Sequence, residues 1–244
     1  MGTAAAVRQW VAARVSPRAL VRLRYLFRGL TRPRWGNLRR VRPFSDQFGF
    51  ERGTPIDRFY LQRFLDRHRH LITGRVLEVQ SSGYTHRYGS ALTASDSVDI
   101  VTTFNATPTY LVDLALSDNV IPSASYDCFL LPNTLNMLRD VEACMRQALR
   151  VVKPGGVILA TAAGLVPLTG DVADYWHLSA DGWRELAARA WPGCEVQIEQ
   201  HGNSLTAVAA MLGLAVEELT SAEFEYDDPR FPVQVTIYCR RPAG

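Results

Sequence analysis

Tyr126-Asp127-Cys128-Phe129-Leu130-Leu131, then Asn133-Thr134-Leu135, and at the far end Leu149-Arg150-Val151-Val152-Lys153-Pro154-Gly155-Gly156-Val157, decide the fold. The first run is apolar almost throughout, as a central strand buried on both faces of a parallel sheet must be. Between the two ends, Leu138, Val141, Met145, Leu149 and Val152 recur at three- and four-residue steps, which marks one face of a helix. Lys153-Pro154-Gly155-Gly156 breaks that helix and turns the chain into another strand, Val157 to Thr161. Strand, helix and strand in this order read as a βαβ unit.

The pattern continues on both sides. Upstream, Thr54 as N-cap, Pro55 at the first helical position and Asp57 behind them signal a helix start. That helix carries Ile56, Phe59, Tyr60, Phe64 and Leu65 on one face and is expected to end near Thr73-Gly74. Strands follow at Arg75–Val79, Leu92–Asp96 and Thr109–Asp113. Downstream, Ser179 can cap a helix bearing Trp183, Leu186 and Ala190. A strand near Glu195–Ile198, a helix over Ser204–Leu212 stopped by Gly213, and a last strand alternating through Val233, Val235, Ile237 and Cys239 complete the chain. The expected fold is α/β: a Rossmann-like doubly wound sheet, mostly parallel with an antiparallel C-terminal strand, plus an N-terminal helical extension. The expected division is a basic helical arm and loop over 1–53 and the α/β domain over 54–244.

The arm stands apart by charge. Met1 to Ser45 holds eleven arginines and no acidic residue, whereas all 24 acidic residues follow it. A solvated amphipathic helix pair at the domain surface or in a homodimer contact is the favoured reading; docking on nucleic acid or on a membrane surface through Trp10, Val11, Leu26 and Phe27 is the alternative. Arginine interrupts every apolar run of the arm, so it reads neither as a membrane span nor as a signal peptide. Cys128, Cys144, Cys194 and Cys239 are scattered without metal-ligand or disulfide spacing, so no metal is expected and a reduced, cytoplasmic setting fits.

Several residues sit where chemistry is done in such folds. Val76-Leu77-Glu78-Val79 runs into the small-residue turn Gln80-Ser81-Ser82-Gly83-Tyr84, where a ligand can approach backbone N–H groups. Asp96, at the expected end of the second strand, is placed to bind ribose hydroxyls, and Asp113-Leu114 after the third suits an adenine.

With these pieces in order, the span Gly74 to Gly164 resembles the class I S-adenosylmethionine-dependent methyltransferases of the type 11 group, the Lys-Pro-Gly-Gly segment most specifically. Arg52-Gly53-Thr54-Pro55-Ile56-Asp57-Arg58, Asp174-Tyr175-Trp176-His177 and Gly202-Asn203 resemble a bacterial subgroup associated with glycan or secondary-metabolite pathways. The chain departs from the group where Gln80, Ser82 and Tyr84 replace glycines. The resemblance implies S-adenosyl-L-methionine as cofactor. Glu78 would orient the turn or the cofactor's amino group, with Gln80, Ser82 and Gly83 lining the methionine moiety. Asp96 would hold the ribose, Asp113 and Leu114 would frame the adenine, and Asn133 and Thr134 would sit beside the sulfonium.

An O-methyl transfer needs a base for the acceptor's proton. His177 is the first candidate because it follows the fifth strand and titrates near neutral pH; His86 and Asp174 are the others. Tyr175 and Trp176 offer an apolar platform for a sugar ring or fill the core. The expected acceptor is a small, sugar-like molecule methylated on a hydroxyl. A non-catalytic scaffold subunit, or a nucleic-acid- or lipid-directed methyltransferase docking through the arm, is the alternative.

Overall fold

The structure is a computed structural model that describes residues 15–27, 34–99, 107–170 and 172–244. Its contacts divide the chain into Met1–Arg42 and Pro43–Gly244. In the first unit, α1 spans Pro17–Phe27, with proline at its first position where the missing N–H costs nothing. The remainder of the expected arm helices, with Trp10 and Val11, lies outside the described residues. Residues 43–53, read from sequence as the end of the arm, fall in the second unit, where the Phe44 N–H donates to the Leu212 carbonyl at 2.7 Å.

The second unit opens with α2, Ile56–Arg67. Pro55, not Thr54, takes the cap position, because the Thr54 hydroxyl and N–H both donate to the Glu217 carboxylate at 2.8 Å. The helix also stops earlier than expected, at Arg67, with a short 3-10 turn over Arg69–Leu71 carrying the chain to the sheet. Then come β1 (Gly74–Val79), α3 (Gly83–Tyr88), β2 (Leu92–Asp99), β3 (Tyr110–Leu111) and β4 (Tyr126–Leu131). They are followed by α4 (Val141–Val151), β5 (Val152–Ala163), α5 (Ala180–Ala190), β6 (Glu195–His201), α6 (Ser204–Met211), α7 (Ser221–Phe224) and β7 (Gln234–Arg240).

The strands form one sheet in the order β3-β2-β1-β4-β5-β7-β6, with β7 antiparallel to both of its neighbours. Alternate residues face opposite layers. Val76, Cys128, Leu130, Val157 and Leu159 meet Leu61, Phe64 and Leu65 of α2 on one side. On the other, Leu77, Phe129, Leu131, Ile158 and Ala160 meet Met145 and Ala148 of α4 and Trp183 of α5. The Rossmann-like fold is thus as expected, with both faces covered.

The Lys-Pro-Gly-Gly segment is part of β5, not a turn before it. Tyr126 pairs with Val152 and Cys128 with Val157, so Lys153 to Gly156 bulge out opposite Asp127 alone. Asp127 fills this bulge. Its carboxylate takes the Lys153 ammonium at 2.8 Å and the Arg75 N–H at 2.8 Å, tying β1, β4 and β5 together. Burial raises the Asp127 carboxyl, but the Lys153 and Arg75 hydrogen bonds outweigh it and hold the group below its ordinary range. Gly156 is required here, since a Cβ would sit 2.9 Å from the Asp127 carbonyl oxygen.

Candidate active site

Strand order reverses between β1 and β4, and in open parallel sheets the crevice for a ligand lies outside the carboxyl ends at that point. Glu78 and Gln80 close β1 there, and Asn133 follows β4. Glu78 is 1% exposed. Its two oxygens accept the N–H groups of Tyr84 (3.1 Å) and Thr85 (2.7 Å) and the Thr85 hydroxyl (2.7 Å), fixing the start of α3. Burial pushes the Glu78 carboxyl above its ordinary value, and the three hydrogen bonds pull against that.

Gln80 keeps the backbone form that a glycine would adopt. Its φ is 72°, in the left-handed region, while its N–H donates to the Val98 carbonyl at 2.9 Å and its side chain is exposed. Gly83 is exposed, and a Cβ there would meet only Ser81 Oγ at 3.5 Å, so the turn leaves room against its backbone. Ser82 caps α3 without a side-chain hydrogen bond. The Gln80, Ser81, Tyr84 and Thr85 N–H groups are engaged within the protein, so in this turn the open backbone is that of Ser82 and Gly83.

Asp96 does not end its strand. β2 continues to Asp99, which pairs with Leu111 of β3, whereas Asp96 lies opposite Leu77 in mid-strand. There it accepts from Arg75 Nε and from the Tyr126 hydroxyl, each at 2.9 Å. Burial, the Tyr110 hydroxyl and the Asp96 carboxylate raise the Tyr126 phenol well above its ordinary value. Asp99 is the acid at the carboxyl edge; in the sequence, polar Ser95 and Ser97 conceal the continuation of the strand to it. Asp113 is exposed and caps its own short turn through the Ala115 N–H (2.9 Å), while Leu114 is buried in the core against α4.

Asn133, with φ at 47°, is the hub of a polar group that no sequence spacing announced. Its Nδ2 donates to Asp57 Oδ2 at 2.6 Å, and its N–H donates to Thr161 Oγ1 at 2.9 Å. Its Oδ1 accepts from the Thr161 hydroxyl at 2.8 Å and from Gln234 Nε2 at 2.6 Å. Asp57 comes from the first turn of α2, Thr161 from the end of β5 and Gln234 from the start of β7. Thr134 is buried, its hydroxyl donating to the Pro132 carbonyl. Next to Asp57, Arg58 Nη1 donates to the Tyr84 hydroxyl at 3.4 Å, so one turn of α2 reaches both the Gln80–Tyr84 turn and the end of β4. Asp57 Oδ2 is engaged by Asn133 and, at 3.8 Å, by Arg58, leaving Oδ1 without a hydrogen-bond partner among the described residues.

His177 and Asp174 are brought together. His177 Nε2 lies 3.0 Å from Asp174 Oδ2, and His177 Nδ1 lies 2.6 Å from the Gly164 carbonyl oxygen. Asp174 is held by Asn136 Nδ2 at 2.9 Å. His177 Nε2 is buried and makes no hydrogen bond of good geometry among the described residues, so the ring is held chiefly through Nδ1. Trp176 is anchored through Nε1 to the Leu138 carbonyl and packs on the core, whereas Tyr175 is exposed. His86 is exposed on α3.

Residues 105–160 match the family profile described as a methyltransferase domain. The fold is that of the S-adenosylmethionine-dependent methyltransferases. An S-adenosylmethionine-dependent methyltransferase from Archaeoglobus fulgidus superposes with a TM-score of 0.51 at 14% identity, over 81% of this chain and 100% of that one. A (4+2)-cyclase, SpnF, superposes with a TM-score of 0.51 at 17% identity, over 84% of this chain and 88% of that one. A search of curated proteins finds no match.

Proposed function

We propose that this chain is an S-adenosylmethionine-dependent O-methyltransferase acting on a hydroxyl of a sugar or sugar-bearing small molecule. The observation that supports the reading is the Asp57–Asn133 pair at the switch point: a carboxylate fixed by one oxygen, with no hydrogen-bond partner on the other among the described residues, and with Arg58 beside it reaching the Gln80–Tyr84 turn. The methyltransferase-domain match over 105–160 supports the same chemistry.

When bound, S-adenosylmethionine supplies a methyl group made electrophilic by its sulfonium. Glu78 holds the turn through the Tyr84 and Thr85 N–H groups; the turn backbone at Ser82 and Gly83 would hold the methionine moiety, Asp99 the ribose hydroxyls and Asp113 the adenine. Asn133 fixes Asp57, whose Oδ1 would accept the proton of the acceptor hydroxyl as that oxygen takes the methyl group. Alignment of the acceptor is the other contribution, and it is one of proximity. The His177–Asp174 pair positions the loop after β5 against Gly164. In the same region the side-chain amide oxygens of Asn136 and Gln234 are buried without a hydrogen-bond partner among the described residues.

Incubation of the purified chain with methyl-labelled cofactor and a panel of glycosides tests the proposal. Label in a glycoside supports it, and transfer only to protein or RNA overturns the acceptor assignment. A second reading, a non-catalytic scaffold subunit, rests on the replacement of glycines by Gln80, Ser82 and Tyr84. Absence of heat on titration with S-adenosylmethionine favours that reading.

A further inference from the structure

The basic arm is not used by the reading above, and its chemistry can be taken on its own. Within the first unit Trp35, Leu38 and Val41 are exposed by 55%, 39% and 103%, in a segment whose other residues include Arg34, Arg39, Arg40 and Arg42. A 3-10 turn over Gly36–Leu38 shapes this segment, and Trp35, Leu38, Arg39, Arg40, Val41 and Arg42 line one concavity. Upstream, α1 exposes Arg18 and Arg22, and the sequence repeats apolar residues at Leu20, Leu23 and Phe27. Exposed aliphatic side chains interleaved with arginine gain nothing on a phosphate backbone alone, but a bilayer interface takes both: apolar groups enter the acyl boundary while guanidinium groups meet anionic headgroups. Tryptophan prefers that same level of the bilayer. The absence of any acidic residue before Asp46 removes the repulsion that would oppose approach to such a surface.

We propose that residues 15–27 and 34–42 serve as a docking arm for an anionic membrane surface, with Trp35, Leu38 and Val41 inserting at the interface and the surrounding arginines engaging lipid headgroups. No helix among the described residues is long and apolar enough to cross a membrane, so this attachment is peripheral. The inference does not rest on methyl transfer.

The test is flotation of the full-length chain with phosphatidylcholine vesicles, with and without phosphatidylglycerol, alongside a titration with duplex RNA. Binding is expected only to the phosphatidylglycerol vesicles. Neutralising Arg39, Arg40 and Arg42 to glutamine should weaken it on the order of 100-fold, at roughly fivefold per charge. Trp35→Ser with Val41→Ser should weaken it at least tenfold and make the remainder fully salt-reversible; these positions are exposed, so the domain's melting temperature should not move. The proposal is overturned if anionic vesicles bind no better than neutral ones. It is equally overturned if the double serine variant binds like the parent, or if RNA binds more tightly than vesicles in a manner those serines leave unchanged.

Discussion

The Asn133 amide donates to the Asp57 carboxylate at 2.6 Å, joining the first turn of α2 to the end of β4 across 76 residues of sequence. Asn133 holds a φ of 47° to do so, and asparagine tolerates that conformation better than most residues. The pair leaves one carboxylate oxygen open beside the place where β1 and β4 diverge, and this gives Asp57 its proposed role as proton acceptor.

Asp57→Asn is therefore expected to lower kcat by about 10²–10⁴-fold, the usual contribution of a positioned base. Cofactor affinity should stay within about threefold of the parent. Initial rates with the first glycoside that accepts label, paired with calorimetry for S-adenosylhomocysteine, check both halves. An equal loss in kcat and in cofactor binding would mean that Asp57 supports the pocket instead of the chemistry.

The two acids of β2 separate cleanly. Asp99→Ala should weaken S-adenosylhomocysteine at least tenfold, because it removes the carboxylate at the strand's carboxyl end. Asp96→Ala should leave affinity unchanged while costing about 1–3 kcal/mol of stability, since it strips partners from Arg75 and from the Tyr126 hydroxyl. Parallel titration and urea denaturation of the two variants decide the matter.

Gln80 carries a positive φ that an L-residue adopts at a cost of roughly 1–2 kcal/mol. Gln80→Gly is expected to remove most of that cost, offset in part by glycine's greater freedom in the unfolded chain. The melting temperature should rise by about 2–4 °C. Gln80→Val should lower it. Differential scanning calorimetry of the three proteins gives the order.

Glu78 and Asp127 predict opposite pH dependences. Burial raises the Glu78 carboxyl above its unfolded value, so the native state holds its proton more tightly and stability declines as pH rises through the interval above about 4.3. Glu78→Gln should flatten that decline. Asp127 lies below its unfolded value, so its contribution is present above that value and is lost as pH falls through the lowered one. Lys153→Met should remove part of this contribution, about 0.5–1 kcal/mol given the exposure of both partners. Urea titrations from pH 3 to pH 7 resolve the two slopes.

These residues also show how far the sequence could be read. The buried run Tyr126–Leu131 and the helix repeat behind it are local patterns, and the sheet followed from them. Bulging of Lys153–Gly156 within β5 was not visible, because it depends on Asp127 and on the pairing of Cys128 with Val157. Glu78 and the small-residue turn were legible because strand, acid and turn are contiguous. Asp57 reads in the sequence as a helix-start signal and as part of the Arg52–Arg58 resemblance, not as a partner of Asn133: that partner lies on a distant strand end, and no spacing rule connects them. Ending β2 at Asp96 took a charged residue as a boundary, whereas Arg75 and Tyr126 satisfy that charge inside the sheet.

The central claim is that the crevice between the ends of β1 and β4 receives an adenosyl sulfonium cofactor although Gln80 stands in a glycine's place. A crystal of the full chain soaked with S-adenosylhomocysteine tests it most directly. Density along the Gln80–Gly83 backbone with the ribose on Asp99 is the predicted result; an empty crevice at saturating ligand, with the Gln80 side chain folded into it, would contradict the account.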